Sequence, residues 1–112
     1  AFGLFDKYDE FLPKDGPFFA QIQLNVTHRG DWWERISQES PDRHDPNKVT
    51  LPTYMADDPI VRKDWARYLD QLEYMDREVG MIRQALEEKG LADNTILIFI
   101  GDNGRCNVRG KG

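Results

Sequence analysis

Two oxygen-donor side chains, Asp102 and Asn103, stand next to each other in the tetrapeptide "GDNG", directly after the apolar run "ILIFI". A carboxylate and a carboxamide oxygen are the ligands that hard cations such as Ca²⁺ and Mg²⁺ prefer. Two ligands do not complete a metal site, and an ordinary turn after a strand is the alternative for the same tetrapeptide. The tetrapeptide alone favours the turn, and it is the residues around it that shift the prediction toward part of a divalent metal site.

Three cationic residues follow Asp102 within nine positions: Arg105, Arg109 and Lys111. Guanidinium and ammonium groups beside a metal suit a substrate oxyanion, which they hold by charge-assisted hydrogen bonds while the metal acts as a Lewis acid. Sulfate and phosphate esters have this chemistry, so Arg109 and Lys111 are candidate substrate-binding residues. A solvated basic loop is the alternative for each cation.

A histidine, His28 in "NVTHRG", is the candidate for proton transfer. An imidazole can serve as a general acid or donate a hydrogen bond to an ester oxygen, and it can equally be a structural group at the end of a strand. Both interpretations stay open at this point.

For the other histidine, the two adjacent tryptophans and the cysteine, the sequence favours a structural role over a functional one. We expect His44 to be a surface residue, because the sequence identifies no partner for it, and Trp32 and Trp33 to anchor a loop on the core. Cys106 is the single cysteine, and no sequence neighbour orients a base toward it. A buried or incidental cysteine is therefore favoured over a catalytic thiol.

The pattern of apolar residues predicts the elements that would position these groups. Apolar and polar residues alternate in part over 18–26, which predicts a strand. Residues 28–57 show no sustained period and are predicted to be irregular. Residues 59–89 carry one continuous stripe of apolar residues at helical spacing, which predicts a long helix. A second strand is predicted at residues 95–100, because every position from 96 to 100 is apolar, as in a strand covered on both faces. The residues after it, 101–112, are predicted to form the site loop.

The order strand, long helix, strand predicts an α/β fold with two parallel strands joined by a right-handed crossover. The carboxyl ends of such strands lie on the same edge of the sheet, where ligands bind in open α/β proteins. We therefore expect His28 and Asp102-Asn103 to lie near each other.

The predicted helix is long for a domain of 112 residues. A helix of about 31 residues spans roughly 46 Å, whereas a compact chain of this size is only about 34 Å across. A strand apolar on both faces also needs cover that this sequence does not supply. We expect a segment of a larger α/β protein; a helix broken at Gly80, or an oligomeric seam, is the alternative.

Composition excludes some classes of partner. The net charge of −5 argues against a nucleic-acid surface, which needs an excess of Lys and Arg. No apolar run approaches the roughly 20 residues of a membrane span. A single cysteine forms no internal disulfide, so composition does not indicate a cellular compartment.

Two longer segments resemble the sulfatases, a family of the alkaline-phosphatase-like superfamily. These are "DWARYLDQLEYMDREVGMIRQALEEKGLADNTILIFIGDNG" with "RGKG" after it, and "PFFAQIQLNVTHR" before the long helix. The "THR" and "RGKG" variants look most like the heparan N-sulfatase-like branch. The resemblance covers nearly all of the chain from Pro17, and it implies a partial strand–long helix–strand segment of an alkaline-phosphatase-like parallel-sheet sandwich.

The resemblance also implies roles for individual residues. Asp102 and Asn103 match two ligands of a divalent ion, usually Ca²⁺ (Mg²⁺ possible), while Lys111 matches a lysine that contacts the sulfate and the nucleophile. His28 matches a histidine that contacts the substrate sulfate, and Arg105 and Arg109 receive no role. The implied substrate is a sulfated small molecule or sugar, the implied partner is the rest of a sulfatase chain, and the implied location is periplasmic, extracellular or lysosomal.

The chain departs from the family pattern in three respects. The family's nucleophile is a formylglycine made from the cysteine of C-x-P-x-R; it precedes this region, as do two further metal-binding aspartates. Cys106 does not replace it, because Val108 stands at the proline position and Arg109 comes one residue early. No proline follows closely after His28, which leaves the shape of that loop open.

Three other functions remain compatible with the residues. A phosphatase or phosphonate hydrolase of the same superfamily would also combine a metal with cations. A non-catalytic fragment or pseudoenzyme would retain the segment as a binding or structural piece. A helix-pairing interaction protein would explain the apolar stripe and leave "GDNG" unexplained.

Overall fold

The computed structural model describes residues 16–105. Within this range the chain forms two α-helices, α1 at Asp31–Glu39 and α2 at Pro59–Glu88, followed by a single 3-10 turn at Ala92–Asn94. The two helices pack against each other, and the 3-10 turn contacts α2. No described helix is long and apolar enough to cross a membrane.

Local signals at both ends of α2 explain why it begins and ends where it does. The Asp58 side chain accepts a hydrogen bond from the backbone N–H of Ile60 at 2.8 Å, and Pro59 occupies the first helical position. At the other end Gly90 has φ 66°, and the N–H of Leu91 reaches back to the carbonyl of Leu86 at 2.9 Å. This left-handed closure favours glycine, which pays no steric penalty at positive φ.

Helix α2 is continuous through Gly80, so the alternative in which this glycine breaks the helix is wrong. Its 30 residues correspond to the segment predicted from the apolar stripe, 59–89. At about 1.5 Å per residue, a helix of this length spans roughly 45 Å.

Helix α1 lies inside the segment 28–57, for which the sequence predicts no regular structure, so that prediction is wrong over Asp31–Glu39. The helix has nine residues, and its buried side chains are Trp33 and Ile36. Two apolar positions three residues apart do not make a sustained period. The helix is instead held by its packing on α2, where Trp33 and Tyr68 stack with ring centroids 6.5 Å apart.

The segments predicted as strands, 18–26 and 95–100, contain no strand in the described part of the chain. The side chains of residues 96–100 are exposed by 51 to 89%. A strand is stable only when its backbone pairs with a neighbour and its apolar faces are covered. Within the described residues, the segment 96–100 has no paired strand and its apolar side chains are not covered. The two strands and the α/β class therefore stay predictions for a larger protein.

The hydrophobic core of the described residues is small. Its buried apolar residues are Val26 before α1, Trp33 and Ile36 in α1, Val49 after α1, and Ala66 and Leu86 in α2. Two polar residues of α2, Asp70 and Gln71, are buried as fully as these apolar ones. The most buried face of α2 therefore departs from the apolar stripe.

Candidate functional site

Asp64, in the first third of α2, connects the two segments that carry predicted site residues. Its Oδ1 accepts a hydrogen bond from Arg29 Nη2, and its Oδ2 accepts one from Arg105 Nη2. Arg29 directly follows His28 in the sequence, and Arg105 lies three residues after Asp102. The two segments are 35 and 41 residues away from Asp64 in sequence, yet both meet its carboxylate.

Aromatic rings hold the two guanidinium groups in place. The Arg29 guanidinium lies 4.4 Å from the ring centroid of Trp33, and the Arg105 guanidinium lies 5.2 Å from the centroids of both Trp65 and Tyr68. Such cation–π contacts orient a planar guanidinium as well as attracting it. We refer to the following six residues as the Asp64 cluster: Arg29, Trp33, Asp64, Trp65, Tyr68 and Arg105.

His28, the predicted proton donor, is exposed at the edge of this cluster. Its backbone N–H closes a turn by donating to the carbonyl of Asn25 at 3.0 Å. The ring lies beside Gly30, where an added Cβ would come within 3.6 Å of His28 Nδ1. The imidazole is therefore accessible to a ligand and is carried by a tight turn rather than by a strand.

Asp102 and Asn103, the predicted metal ligands, are exposed, and no described side chain or backbone group hydrogen-bonds to their side chains. An available carboxylate with an adjacent carboxamide fits a hard divalent cation. Among residues 16–105 no three His, Cys, Asp or Glu side chains are grouped so that they could hold a metal ion. Further ligands would have to come from beyond these residues.

The remaining predicted site residues, Arg109 and Lys111, lie outside the described residues, as does Cys106. Arg105 is described, and its guanidinium is engaged with Asp64. The interpretation of Arg105 as an anion-binding group of the site loop is therefore replaced by a pairing with α2.

The two adjacent tryptophans, Trp32 and Trp33, have different environments in the structure. Trp33 is buried and contributes to the core, as an anchor does, whereas Trp32 is 38% exposed and lies under the Arg35 guanidinium at 4.6 Å. Both belong to α1 rather than to a loop. The cation–π partner of Trp32 is Arg35, not a guanidinium group of the Asp64 cluster.

A second polar cluster centres on Asp70, which sequence reasoning missed. Its Oδ1 accepts from the backbone N–H of His44 at 2.8 Å and from His44 Nδ1 at 2.9 Å, and its Oδ2 accepts from Ser37 Oγ at 2.9 Å. His44 Nε2 also lies 3.6 Å from Glu73 Oε1. The interpretation of His44 as a surface residue without a partner is therefore wrong: its ring is tied to α2.

Several buried polar atoms lack a hydrogen-bond partner within the described residues. They are Arg29 Nε, Trp33 Nε1, Ser40 Oγ, both amide atoms of Gln71, Glu78 Oε2 and Arg105 Nε. Burial raises the pKa of the Glu78 carboxyl above its ordinary range. Because proteins rarely leave buried polar groups unpaired, these atoms call for partners beyond the described part of the chain.

No signal in the sequence identifies the Asp64 and Asp70 clusters in advance. Each joins residues 26 to 41 positions apart, and a side chain that bridges distant segments has no period or spacing motif.

Comparison with known proteins places the chain in a family. A sequence model described as Sulfatase matches residues 3–108. The chain is 30% identical to human N-sulphoglucosamine sulphohydrolase over 80% of its own length and 22% of the relative's. It is 37% identical to an ulvan-active sulfatase of Formosa agariphila over 51% of the chain and 10% of that protein.

A third relative, human arylsulfatase H, is 42% identical over 40% of the chain and 8% of the relative. No solved structure matches the chain. The chain thus spans less than a quarter of the curated relatives it matches. The family match covers nearly the whole chain, and the chain therefore belongs to the sulfatase family.

Proposed function

We propose that this chain is the central segment of a sulfatase that hydrolyses sulfate esters or an N-sulfate, and that it supplies part of the metal site and part of the sulfate-binding site. Membership of the sulfatase family supports hydrolysis of sulfated substrates in general. The names of two relatives specify N-sulphoglucosamine and ulvan as what those proteins act on. A sulfated sugar is accordingly the substrate class that we propose.

The family implies an alkaline-phosphatase-like α/β fold, and in that fold we propose that residues 18–26 and 95–100 become parallel strands of one sheet. The exposed side chains of residues 96–100 support this proposal, since five successive apolar side chains in water are unfavourable by roughly 25 cal/mol per Å² of apolar surface. A sheet partner and cover on both faces would remove that cost. Without the proposed nucleophile and the further metal ligands, the segment alone should not turn over substrate.

The proposed metal ligands from this chain are Asp102 and Asn103. Their exposure and their lack of a described partner support the proposal, as does an oxygen-only donor set suited to Ca²⁺ or Mg²⁺. A bound divalent ion supplies charge neutralisation at the oxygens of the sulfate group. The chain's part is to present two oxygen donors on a loop that Arg105 fastens to α2.

The proposed sulfate-contacting residues are His28, Lys111 and Arg109. Lys111 and Arg109 would hold the negatively charged sulfate by charge-assisted hydrogen bonds, and His28 would donate a proton or a hydrogen bond to the oxygen or nitrogen of the leaving group. The nucleophile in this proposal is a formylglycine outside the chain, whose hydrated aldehyde would supply the hydroxyl oxygen that forms the new bond to sulfur as the bond from sulfur to the leaving group breaks.

One structural observation carries the proposal beyond family membership. Arg29, next to His28, and Arg105, next to "GDNG", bind the two oxygens of a single carboxylate, that of Asp64. The loop with the predicted proton donor and the loop with the predicted metal ligands are thereby held to the same part of α2. This arrangement is what a joint active site needs.

Hydrolysis by the complete protein tests the proposal. We would measure release of sulfate from an N-sulfated glucosamine and from an aryl sulfate, and release of phosphate from an aryl phosphate. Lys111→Ala and His28→Ala should each lower kcat/KM for sulfate release by about 100-fold or more. Lys63→Ala, which changes an exposed lysine of α2, is the matched control.

The outcome distinguishes the other functions. Faster release of phosphate than of sulfate would support a phosphatase or phosphonate hydrolase instead. No hydrolysis of any of the three substrates would support a non-catalytic segment.

A further inference from the structure

We propose that Asp64 is a positioning residue of the active site. Its carboxylate sets the distance between the loop that carries His28 and the loop that carries Asp102 and Asn103, and it acts through Arg29 and Arg105. The roles of the two loops in substrate and metal binding rest on the proposed function. The tether itself is independent of that function.

The two oxygens of the Asp64 carboxylate bind different loops. Each of its oxygens accepts from a different guanidinium, so Asp64 joins two loops rather than fastening one. The partners come from opposite ends of the described chain, residues 29 and 105, while Asp64 lies between them on a 30-residue helix. Because both loops bind the same carboxylate on α2, their positions are fixed relative to each other as well as to the helix.

The three charged side chains are partly removed from water. Exposed fractions of the three side chains fall from 36% for Arg29 to 26% for Asp64 and 13% for Arg105. An ion pair removed from water in this way is screened less by salt than a fully exposed one. Arg105 is the most buried of the three, and it belongs to the loop with the predicted metal ligands.

The rings of the cluster restrict the orientation of both guanidinium groups. Trp33 and Tyr68 stack with an interplanar angle of 21°, and Tyr68 lies 5.2 Å from Trp65. Arg29 lies over Trp33, Arg105 lies over both Trp65 and Tyr68, and both guanidinium groups bind the same carboxylate. The two cations are thus brought close together, and the Asp64 carboxylate is what offsets their mutual repulsion.

Removal of that carboxylate charge has a specific consequence. With an amide in its place, two like charges face each other across a neutral group, and both loops lose their common acceptor. The helix itself keeps its backbone hydrogen bonds and its N-cap at Asp58. A purely structural ion pair would change stability and leave the ligand affinities alone, whereas a positioning residue changes the affinities.

The test uses the complete protein with Asp64→Asn, the charge-retaining variant Asp64→Glu, and the matched control Asp57→Asn. Asp57 also accepts from an arginine, Arg62 Nη2 at 2.9 Å, but this pair touches neither site loop. Hydrogen exchange of residues 28–30 and 101–105 is measured with a chelator present, so that this readout does not depend on metal. Calcium affinity is measured by calorimetry, and kcat and KM are measured separately for sulfate release.

We expect faster exchange in both loops of Asp64→Asn, and calcium affinity and kcat lower by about 10- to 100-fold, the range for residues that orient metal ligands. Asp64→Glu should recover part of this loss, and Asp57→Asn should behave as the unmodified protein. Unchanged exchange in Asp64→Asn would overturn the tether. Faster exchange with calcium affinity at the control level would overturn the positioning role.

An Asp102→Ala variant, measured in parallel, separates this inference from the proposed function. If Asp102→Ala loses calcium and Asp64→Asn does not, the positioning role alone fails. If neither variant loses calcium, the metal assignment of the loop fails, and with it the role of Asp64 in positioning that loop.

Discussion

His44 donates twice to the same carboxylate oxygen of Asp70, from its backbone N–H at 2.8 Å and from its ring Nδ1 at 2.9 Å. Since a carboxylate only accepts, the Nδ1 atom carries a proton in this arrangement. Asp70 is 2% exposed, so water cannot replace these bonds. The segment between α1 and α2 is thereby fastened to the middle of α2.

Substitution of Asp70 should be costly for this reason. In the complete protein, Asp70→Ala leaves the donors of His44 and Ser37 without an acceptor in a buried place, and we expect a loss of about 2–4 kcal/mol in the free energy of unfolding. Urea denaturation measures this loss. Asp76→Ala, which changes an exposed carboxylate on the same helix, should stay within about 0.5 kcal/mol of the unmodified protein.

The C-terminal closure of α2 gives a second prediction. Gly90 has φ 66°, where a Cβ is strained although nothing lies within 4 Å of it. Gly90→Ala should therefore lower the free energy of unfolding by about 1 kcal/mol, and Gly90→Asn by less, because asparagine tolerates the left-handed region. Equal losses for the two variants in thermal unfolding would contradict a purely conformational role for this glycine.

Glu78 gives a prediction about pH. Burial raises the pKa of its carboxyl in the folded state above the ordinary value of 4.5, so the folded state favours the protonated form. The folded state is accordingly penalised once the pH rises above that ordinary value, and the penalty is absent below it. Glu78→Gln should raise the midpoint of thermal unfolding at pH 7.

The same measurement at low pH provides the control for this prediction. Below about pH 4 the carboxyl is protonated in both the folded and the unfolded state, so Glu78→Gln and the unmodified protein should unfold at the same temperature. A stabilisation by Glu78→Gln that is independent of pH would contradict desolvation of the carboxyl as the cause.

Both ends of α2 could be predicted from the sequence because their signals are local. An acidic N-cap followed by proline, and a glycine followed by a leucine that folds back, are contained within a few residues at Asp58-Pro59 and at Gly90-Leu91. Helix α1 could not be predicted in this way. Its nine residues gain their stability from the contact of Trp33 with α2, which is distant in sequence.

The sequence allowed prediction of the residue types at the candidate site but not of the contacts that hold its loops together. The oxygen-donor pair Asp102-Asn103 and the histidine His28 are recognisable by residue type, and family membership supports their use. The side chain that connects their loops, Asp64, is not recognisable, because its partners lie 35 and 41 residues away. Strand formation at residues 96–100 depends on neighbouring strands and covering layers, which the local sequence does not specify.

Calcium binding by the complete protein tests the central claim most directly. We would titrate the unmodified protein, Asp102→Ala and the matched control Asp93→Ala by calorimetry; Asp93 is an exposed aspartate nine residues earlier in the chain. Loss of a carboxylate ligand should weaken calcium binding by at least about 10-fold in Asp102→Ala and leave Asp93→Ala unchanged. Equal calcium affinity in all three proteins would contradict Asp102 as a metal ligand and, with it, this loop as part of a sulfatase metal site.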